Sequence, residues 1–129
     1  EIGRASTIKM LRSVMVKGME ALTVECFRAA ARAGVAEEVA NSLDASEGGL
    51  GWAEQTAYNM ERMTAHGIRR AAEMREVAKT LRGLDVAPAM TTGTISWEEE
   101  MGALDLSLDS GTPLAEQLTL IERALEKGE

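Results

Sequence analysis

One lysine sits a turn and a half into a stretch that begins Gly3-Arg4-Ala5-Ser6-Thr7-Ile8-Lys9-Met10-Leu11-Arg12-Ser13. An amine near the head of a helix can exchange a proton with a substrate hydroxyl, provided that its neutral form is accessible near pH 7. Arg12, three residues on, opposes a second positive charge nearby, and partial burial would act in the same sense. Ser13, one turn after Lys9, can hydrogen-bond a ligand. Lys17 is the competing amine, further along the same segment. The plain alternative is that Lys9 is a solvated surface group, and spacing alone does not separate the two.

A second cluster lies in the middle of the chain. Arg62, His66, Arg69 and Glu73 recur at steps of three and four, which places them on one helical face, with Arg70 beside them. An arginine pair next to a histidine suits a carboxylate or phosphate. Tyr58 and Asn59 stand one to two turns earlier. Against this, Arg69 and Glu73 could form an ordinary exposed ion pair of little energetic weight, and the chain's single histidine could be a surface group.

Other chemistry is disfavoured. One Cys and one His make a metal site improbable, and one Cys allows no internal disulfide, which suits a reducing cytoplasm. Cys26 falls on an apolar stripe and reads as core. Gly48-Gly49-Leu50-Gly51 lacks the P-loop lysine and follows no strand, so it reads as a loop. Glu98-Glu99-Glu100 reads as a solvated helix face, and Trp52 and Trp97 as packing anchors.

The elements that must position these residues are helices. Ile8, Leu11, Met15, Met19, Leu22, Cys26 and Ala29 make an apolar stripe on a first helix of about thirty residues, closed by Arg32 and Gly34. A short helix is expected over 35–43, then a glycine-bearing loop over 44–51. A third helix follows from Trp52 to about Met63, and then a fourth from His66 to Leu81, either separate or continuous with the third. Met60, Met63, Gly67, Ala71, Met74, Ala78 and Leu81 form their shared stripe, with Gly67 marking a kink or a close helix contact. Pro88 opens a further helix to about Met101. Thr112 and Pro113 open the last, with Thr112 as N-cap. No segment alternates with period two for long, so the fold class is all-α. With only four aromatic side chains, methionine and aliphatic residues must fill the core, and some of the eight methionines could line an oligomer contact.

At 129 residues the chain fits one domain, 1–129. No apolar run approaches the ~20 residues of a membrane span. A net charge of −7 argues against nucleic acid. The charge is uneven: residues 1–34 and 61–83 each carry six basic against three acidic side chains. If those two segments pack together, their shared end would favour a small anion. The chain begins at Glu1 and enters helix-forming sequence within three residues, so it reads as part of a longer protein.

Gly3-x-Ala5-Ser6-x-x-Lys9, followed by Lys17-Gly18-Met19-Glu20-Ala21-Leu22 and Glu25, resembles the helical C-terminal domain of the β-hydroxyacid dehydrogenases. That superfamily includes 3-hydroxyisobutyrate and 6-phosphogluconate dehydrogenases. His66-x-x-Arg69-Arg70-Ala71-Ala72-Glu73-Met74-x-Glu76 looks like a bacterial 6-phosphogluconate dehydrogenase-like branch that ends in a domain of unknown function. The resemblance covers roughly residues 3–100. It implies a parent with an N-terminal Rossmann domain for NAD or NADP, absent here, joined to this all-α domain by its long first helix. It implies that Lys9 assists proton transfer at the substrate hydroxyl, and that the domain closes the substrate cleft and makes most of a homodimer contact. The chain departs from the family pattern twice: Ser13, with Arg12 beside it, stands where an asparagine usually orients substrate, and Ala72-Glu73 stands in place of a later Lys-Asp pair.

Two readings follow. In the first, the chain is the substrate-side and dimerisation domain of an NAD(P)-dependent hydroxyacid dehydrogenase. Lys9 is the acid/base, Ser13 positions a small anionic hydroxyacid, and Arg12, His66, Arg69 or Arg70 contact its charge. The domain alone is then inactive, because hydride transfer needs the nicotinamide. In the second, the chain is a helical interaction module without chemistry, its methionine-rich stripes burying a partner helix.

Overall fold

The computed structural model describes residues 3–46, 51–109 and 111–127. Among them are five helices and no strand: α1 (Arg4–Arg32), α2 (Ala36–Ser46), α3 (Trp52–Gly83), α4 (Ala89–Gly102) and α5 (Leu114–Lys127). The all-α expectation holds, and none of these helices is long and apolar enough to cross a membrane.

Helix α1 ends where the sequence says it should. Arg32 occupies its last turn, and Gly34 takes a positive φ of 76° that a side chain would strain. The expected third and fourth helices are one, α3, of 32 residues. At ~1.5 Å per residue, α1 and α3 are rods of roughly 43 and 48 Å. α2 runs three residues past its expected end, through Asp44, whose carboxylate accepts from the backbone N–H of Trp52 at 2.9 Å. The remainder of the expected glycine loop, 47–50, lies outside the described residues. α5 starts one residue later than expected, with the Pro113 carbonyl accepting from the Gln117 N–H.

The two rods pack antiparallel. Met10 faces Thr80, Glu20 faces Arg70, and Thr23 faces Asn59. Helix α4 lies against both. It crosses α3 backbone to backbone, with Gly67 against Gly102. A Cβ built on Gly67 would stand 2.1 Å from the Glu98 carbonyl oxygen, and one on Gly102 would stand 2.5 Å from the Ile68 nitrogen. Close packing, not a kink, is therefore the reason for glycine there.

The expected stripe of α3 is fully buried. Met60 and Met63 join Val24, Phe27, Met101, Leu118 and Ile121 in the main core, while Met74, Val77 and Leu81 pack with Met10, Leu11, Val14 and Ile95 at the other end. Trp52 and Trp97 pack against the main core, as anchors should.

The stripe of α1 is a correction. Ile8, Met15 and Leu22 are 57%, 66% and 50% exposed, and Met19, Cys26 and Ala29 are also exposed. Cys26 is thus no core residue. The face turned inward is the adjacent one, carrying Ala21, Val24, Phe27 and Ala30 with the polar Glu20, Thr23 and Arg28. Small residues let α1 approach closely, and its polar residues have partners on α3, α4 and α5, so apolar count alone misjudged the buried side.

Candidate functional site

The head of α1 carries Lys9, Arg12 and Ser13. Lys9 and Arg12 are exposed, and Ser13 is half-buried with its hydroxyl donating to the Lys9 carbonyl at 3.1 Å. That bond spends the Ser13 proton on its own helix, leaving its oxygen lone pairs for a ligand. The burial that would favour a neutral Lys9 is not supplied by this helical domain.

The antiparallel register decides which basic residues accompany Lys9. Thr80 donates to the Met10 sulfur at 3.7 Å, so the last turns of α3, with Lys79 and Arg82, lie beside the head of α1. The two basic segments do pack together, but end to opposite end. His66 and Arg69 stand about 14 and 11 residues back along α3, roughly 21 and 16 Å at the helical rise. Within one chain, the Lys9 group and the His66–Arg69 group are separate places. Lys79, which pairs with Glu76 at 3.0 Å, and Arg82 were missed because only the helix register, not spacing along the sequence, brings them to the same end of the bundle as Lys9.

The His66 cluster resolves into two parts. Arg69 is exposed and pairs with Glu73 at 3.8 Å, as the plain reading expects. His66 is half-buried, and its pKa is lowered by desolvation and by the charges of Arg62, Arg69 and Arg70. Arg70 is not available to a substrate from this face. It is 8% exposed and its guanidinium donates to the Glu20 carboxylate across the α1–α3 interface. Arg70 follows Arg69 by one residue, which turns it about 100° around the helix, from solvent into the bundle.

Next to that pair lies the least expected group in the molecule. Glu98 is fully buried, not part of a solvated face. Glu99 and Glu100 do reach solvent, where they pair with Arg75 and Arg28. The Gly67–Gly102 crossing draws this stretch of α4 against α3 and leaves the Glu98 side chain no way out. Neither Glu98 oxygen has a donor among the described residues. Burial pushes its carboxyl up to about 9, reinforced by a hydrogen bond to Glu20 and the charge of Glu20, and opposed by Arg70 and Lys17. Near neutral pH Glu98 is therefore a carboxylic acid, its proton supplying the missing donor toward Glu20.

A further polar layer holds the far half of α1. Arg28 donates to Glu122 at 3.0 Å and to Glu100 at 3.3 Å, and its guanidinium lies 5.5 Å from the Trp97 ring centre. Trp97 donates to Glu25 at 2.9 Å. Burial pushes the Glu122 carboxyl up, but hydrogen bonds from Arg28 and Arg32 and their charges outweigh it and hold it below its ordinary value. Among the described residues no group of three His, Cys, Asp or Glu side chains could hold a metal ion.

Known proteins share this fold. The chain is 33% identical to a conserved hypothetical protein from Sinorhizobium meliloti 1021, whose crystal structure it matches with a TM-score of 0.85 over 95% of this chain and 42% of that one. It is 36% identical to MTH1747, a conserved protein of unknown function described as structurally similar to 3-hydroxyacid dehydrogenases, with a TM-score of 0.70 over 80% of this chain and 39% of that one. It is also 30% identical, over 90 residues, to an uncharacterised 28.5 kDa protein of the 7S RNA 5′ region in Methanothermus fervidus, covering 70% of this chain and 36% of that protein. The chain thus spans about two fifths of the length of these relatives. Residues 30–101 match the family profile described as a domain of unknown function, DUF1932. The chain belongs to the DUF1932 family.

Proposed function

We propose that the chain is the substrate-side and dimerisation domain of an NAD(P)-dependent hydroxyacid dehydrogenase. The observation that carries this reading is the likeness to MTH1747, at 36% identity, taken with an exposed lysine at the head of the long first helix. Lys9 exchanges the proton of the substrate hydroxyl. Arg12 and Ser13 flank it and hold a small anionic hydroxyacid, with Lys79 and Arg82 adding positive charge at the same end. Arg70 leaves the list of substrate contacts and instead holds the α1–α3 interface through Glu20. His66 and Arg69 would reach a ligand at Lys9 only from a second subunit.

The nicotinamide, which supplies the hydride acceptor, does not fit this chain's residues. Its Gly48-Gly49-Leu50-Gly51 run follows no strand, and among the described residues there is no strand to carry a dinucleotide turn. A further domain in a longer parent would hold it, and that domain would also bury Lys9. The exposed Ile8, Met15, Met19 and Leu22 support a second copy packed along α1. The single exposed cysteine suits a reducing cytoplasm.

The test is oxidation of a panel of short hydroxyacids by the full-length protein, followed by NADH or NADPH absorbance. Turnover of at least one is the expected result. No turnover of any with either cofactor would favour the second reading, a helical interaction module, for which the same outward stripe of α1 is the supporting observation.

A further inference from the structure

The outward stripe of α1 is laid out evenly about its own middle. Ile8 and Cys26 stand nine residues to either side of Lys17, Met15 and Met19 two residues to either side, and all four are exposed. Such a stripe meets a second copy of itself when that copy is turned end for end by a two-fold axis at the level of Lys17. Leu22 then opposes Arg12, whose methylene stem can cover it. Charge selects the same pairing. Residues 3–19 carry Arg4, Lys9, Arg12 and Lys17 and no acid, while residues 20–26 carry Glu20 and Glu25 and no base. A parallel pair would set the four cations against themselves, and the antiparallel pair sets them towards the partner's acidic half.

The register of α3 then decides what each copy brings to the other. The Met10–Thr80 and Glu20–Arg70 contacts place His66 level with Val24 of its own α1, and Arg69 level with Ala21. The axis carries those two levels to Met10 and Ser13 of the other copy. His66 thereby arrives beside a Lys9, and Arg69 beside an Arg12 and a Ser13, which its own chain keeps far from it. The flanks agree as well. Lys9 precedes Glu20 by about three turns, and both leave α1 within about 20° of one direction, towards α3. His66 precedes Arg70 by one turn and stands half-buried at the edge of the α1–α3 contact. Glu25, bonded to Trp97 of α4, is on the other flank. A two-fold axis across the helix keeps like flanks together, so the α3 flank of each copy meets the α3 flank of the other.

We propose that two copies of this chain pack α1 against α1, antiparallel about the level of Lys17, and that each anion site is shared: Lys9, Arg12 and Ser13 from one copy, His66 and Arg69 from the other. Three cations gathered at one place call for an anion to neutralise them. Arg69 can turn to it, because its Glu73 partner is exposed and 3.8 Å away. His66, its pKa lowered by desolvation and by Arg62, Arg69 and Arg70, is neutral near pH 7 and can hydrogen-bond the substrate hydroxyl. That the anion is a hydroxyacid rests on the dehydrogenase reading; the pairing rests on the stripe, the charges and the register.

The pairing is tested on the chain itself through its single cysteine. Cys26 is exposed, and the axis sets it opposite Ile8, which is 57% exposed and replaceable without touching the core. Ile8→Cys treated with diamide at micromolar concentration should run as a covalent dimer on a non-reducing gel. The unaltered chain, whose two Cys26 thiols would stand about 27 Å apart along the helix, should not, and neither should Ile8→Cys combined with Cys26→Ser. No covalent dimer from Ile8→Cys, or as much from either control, would overturn the proposal. Sharing of the site is tested in the full-length protein. Lys9→Ala alone, and His66→Ala combined with Arg69→Ala, should each lower turnover by roughly 10² or more. Co-expressed, the two should recover roughly a quarter of the unaltered rate, since half of the dimers combine them and each of those holds one intact site. No recovery would overturn the sharing and leave the dehydrogenase reading in place. Absence of turnover in the unaltered protein would instead end that reading and the shared hydroxyacid site with it, leaving the cross-link to decide the pairing.

Discussion

The two halves of α1 do different work. From Arg4 to Val16 the helix is mostly exposed and touches the rest of the bundle through Met10, Leu11 and Val14. From Lys17 to Arg32 it is fixed by polar side chains whose partners lie on three helices: the buried Arg70 on α3, the solvent-reaching Glu100 on α4 and the half-buried Glu122 on α5. The residue types that could do chemistry sit on the loose half, and the residues that cannot be moved sit on the fixed half. A lysine offered to a ligand needs a rigid base and an open head, and one continuous helix supplies both. The difference predicts that damage to the fixed half is read in stability, and damage to the head in activity.

The largest structural effect should come from the α3–α4 crossing that underlies the fixed half. Gly67→Ala puts a methyl 2.1 Å from a backbone oxygen, so the helices must part. The expected cost is about 3 kcal/mol or more, a fall in melting midpoint of roughly 10 °C by calorimetry. An unchanged midpoint would mean that the crossing is looser than described.

Glu98→Gln tests the buried acid beside it. The folded chain keeps the Glu98 proton up to about 9, while the unfolded chain releases it near its ordinary value of 4.5. Between those limits the folded state binds more protons, so stability falls as pH rises, by ~1.4 kcal/mol per unit at most, and is flat for this group below 4.5 and above 9. The glutamine variant should therefore be more stable than the parent at pH 7, by about 3 kcal/mol at most, and equal to it near pH 4. Denaturant midpoints at the two pH values measure this. A parent and variant that differ by the same amount at both would show Glu98 ionised in the fold.

The outward stripe distinguishes the halves in another way. Leu22→Asp leaves the core untouched, because Leu22 is 50% exposed, but it puts a charge in the middle of the stripe. Light scattering should show a dimer for the parent at micromolar concentration and roughly 10- to 100-fold weaker association for the variant. A stable monomer for the parent would remove the assembly role. The smallest effect belongs to the exposed Arg69–Glu73 pair. Arg69→Ala should change stability by no more than ~0.5 kcal/mol, and a larger loss in thermal melts would show a partner that the bundle does not reveal.

Much of this was legible in the residues. The stripe from Met60 to Leu81 names buried residues throughout, because apolar side chains and one glycine recur there at helical spacing, although Asn59, Thr64 and Arg70 are buried on α3 as well. Gly34 and Pro88 mark helix limits by backbone rules that tertiary packing does not override. The face of α1 was misjudged because its inward side mixes alanine with Glu20, Thr23 and Arg28, and periodicity scores those as solvent-facing until their partners are known. Glu98 was hidden for the same reason: a glutamate in a run of three looks solvated unless the glycine contact that encloses it is seen. The Lys9 pattern was readable through family resemblance, but that Lys79 and Arg82 share its end of the bundle required the antiparallel register of two rods.

The proposed role of Lys9, an exposed residue with no structural partner named above, is proton exchange with the substrate hydroxyl. The most direct measurement is the turnover of Lys9→Ala in the full-length protein, with its melting midpoint and with ethylamine added as a replacement amine. Turnover should fall by about 10²–10⁴, the midpoint should stay in place, and ethylamine should restore part of the rate. Unaltered turnover, or a loss matched by a fall in melting midpoint and untouched by ethylamine, would contradict the account.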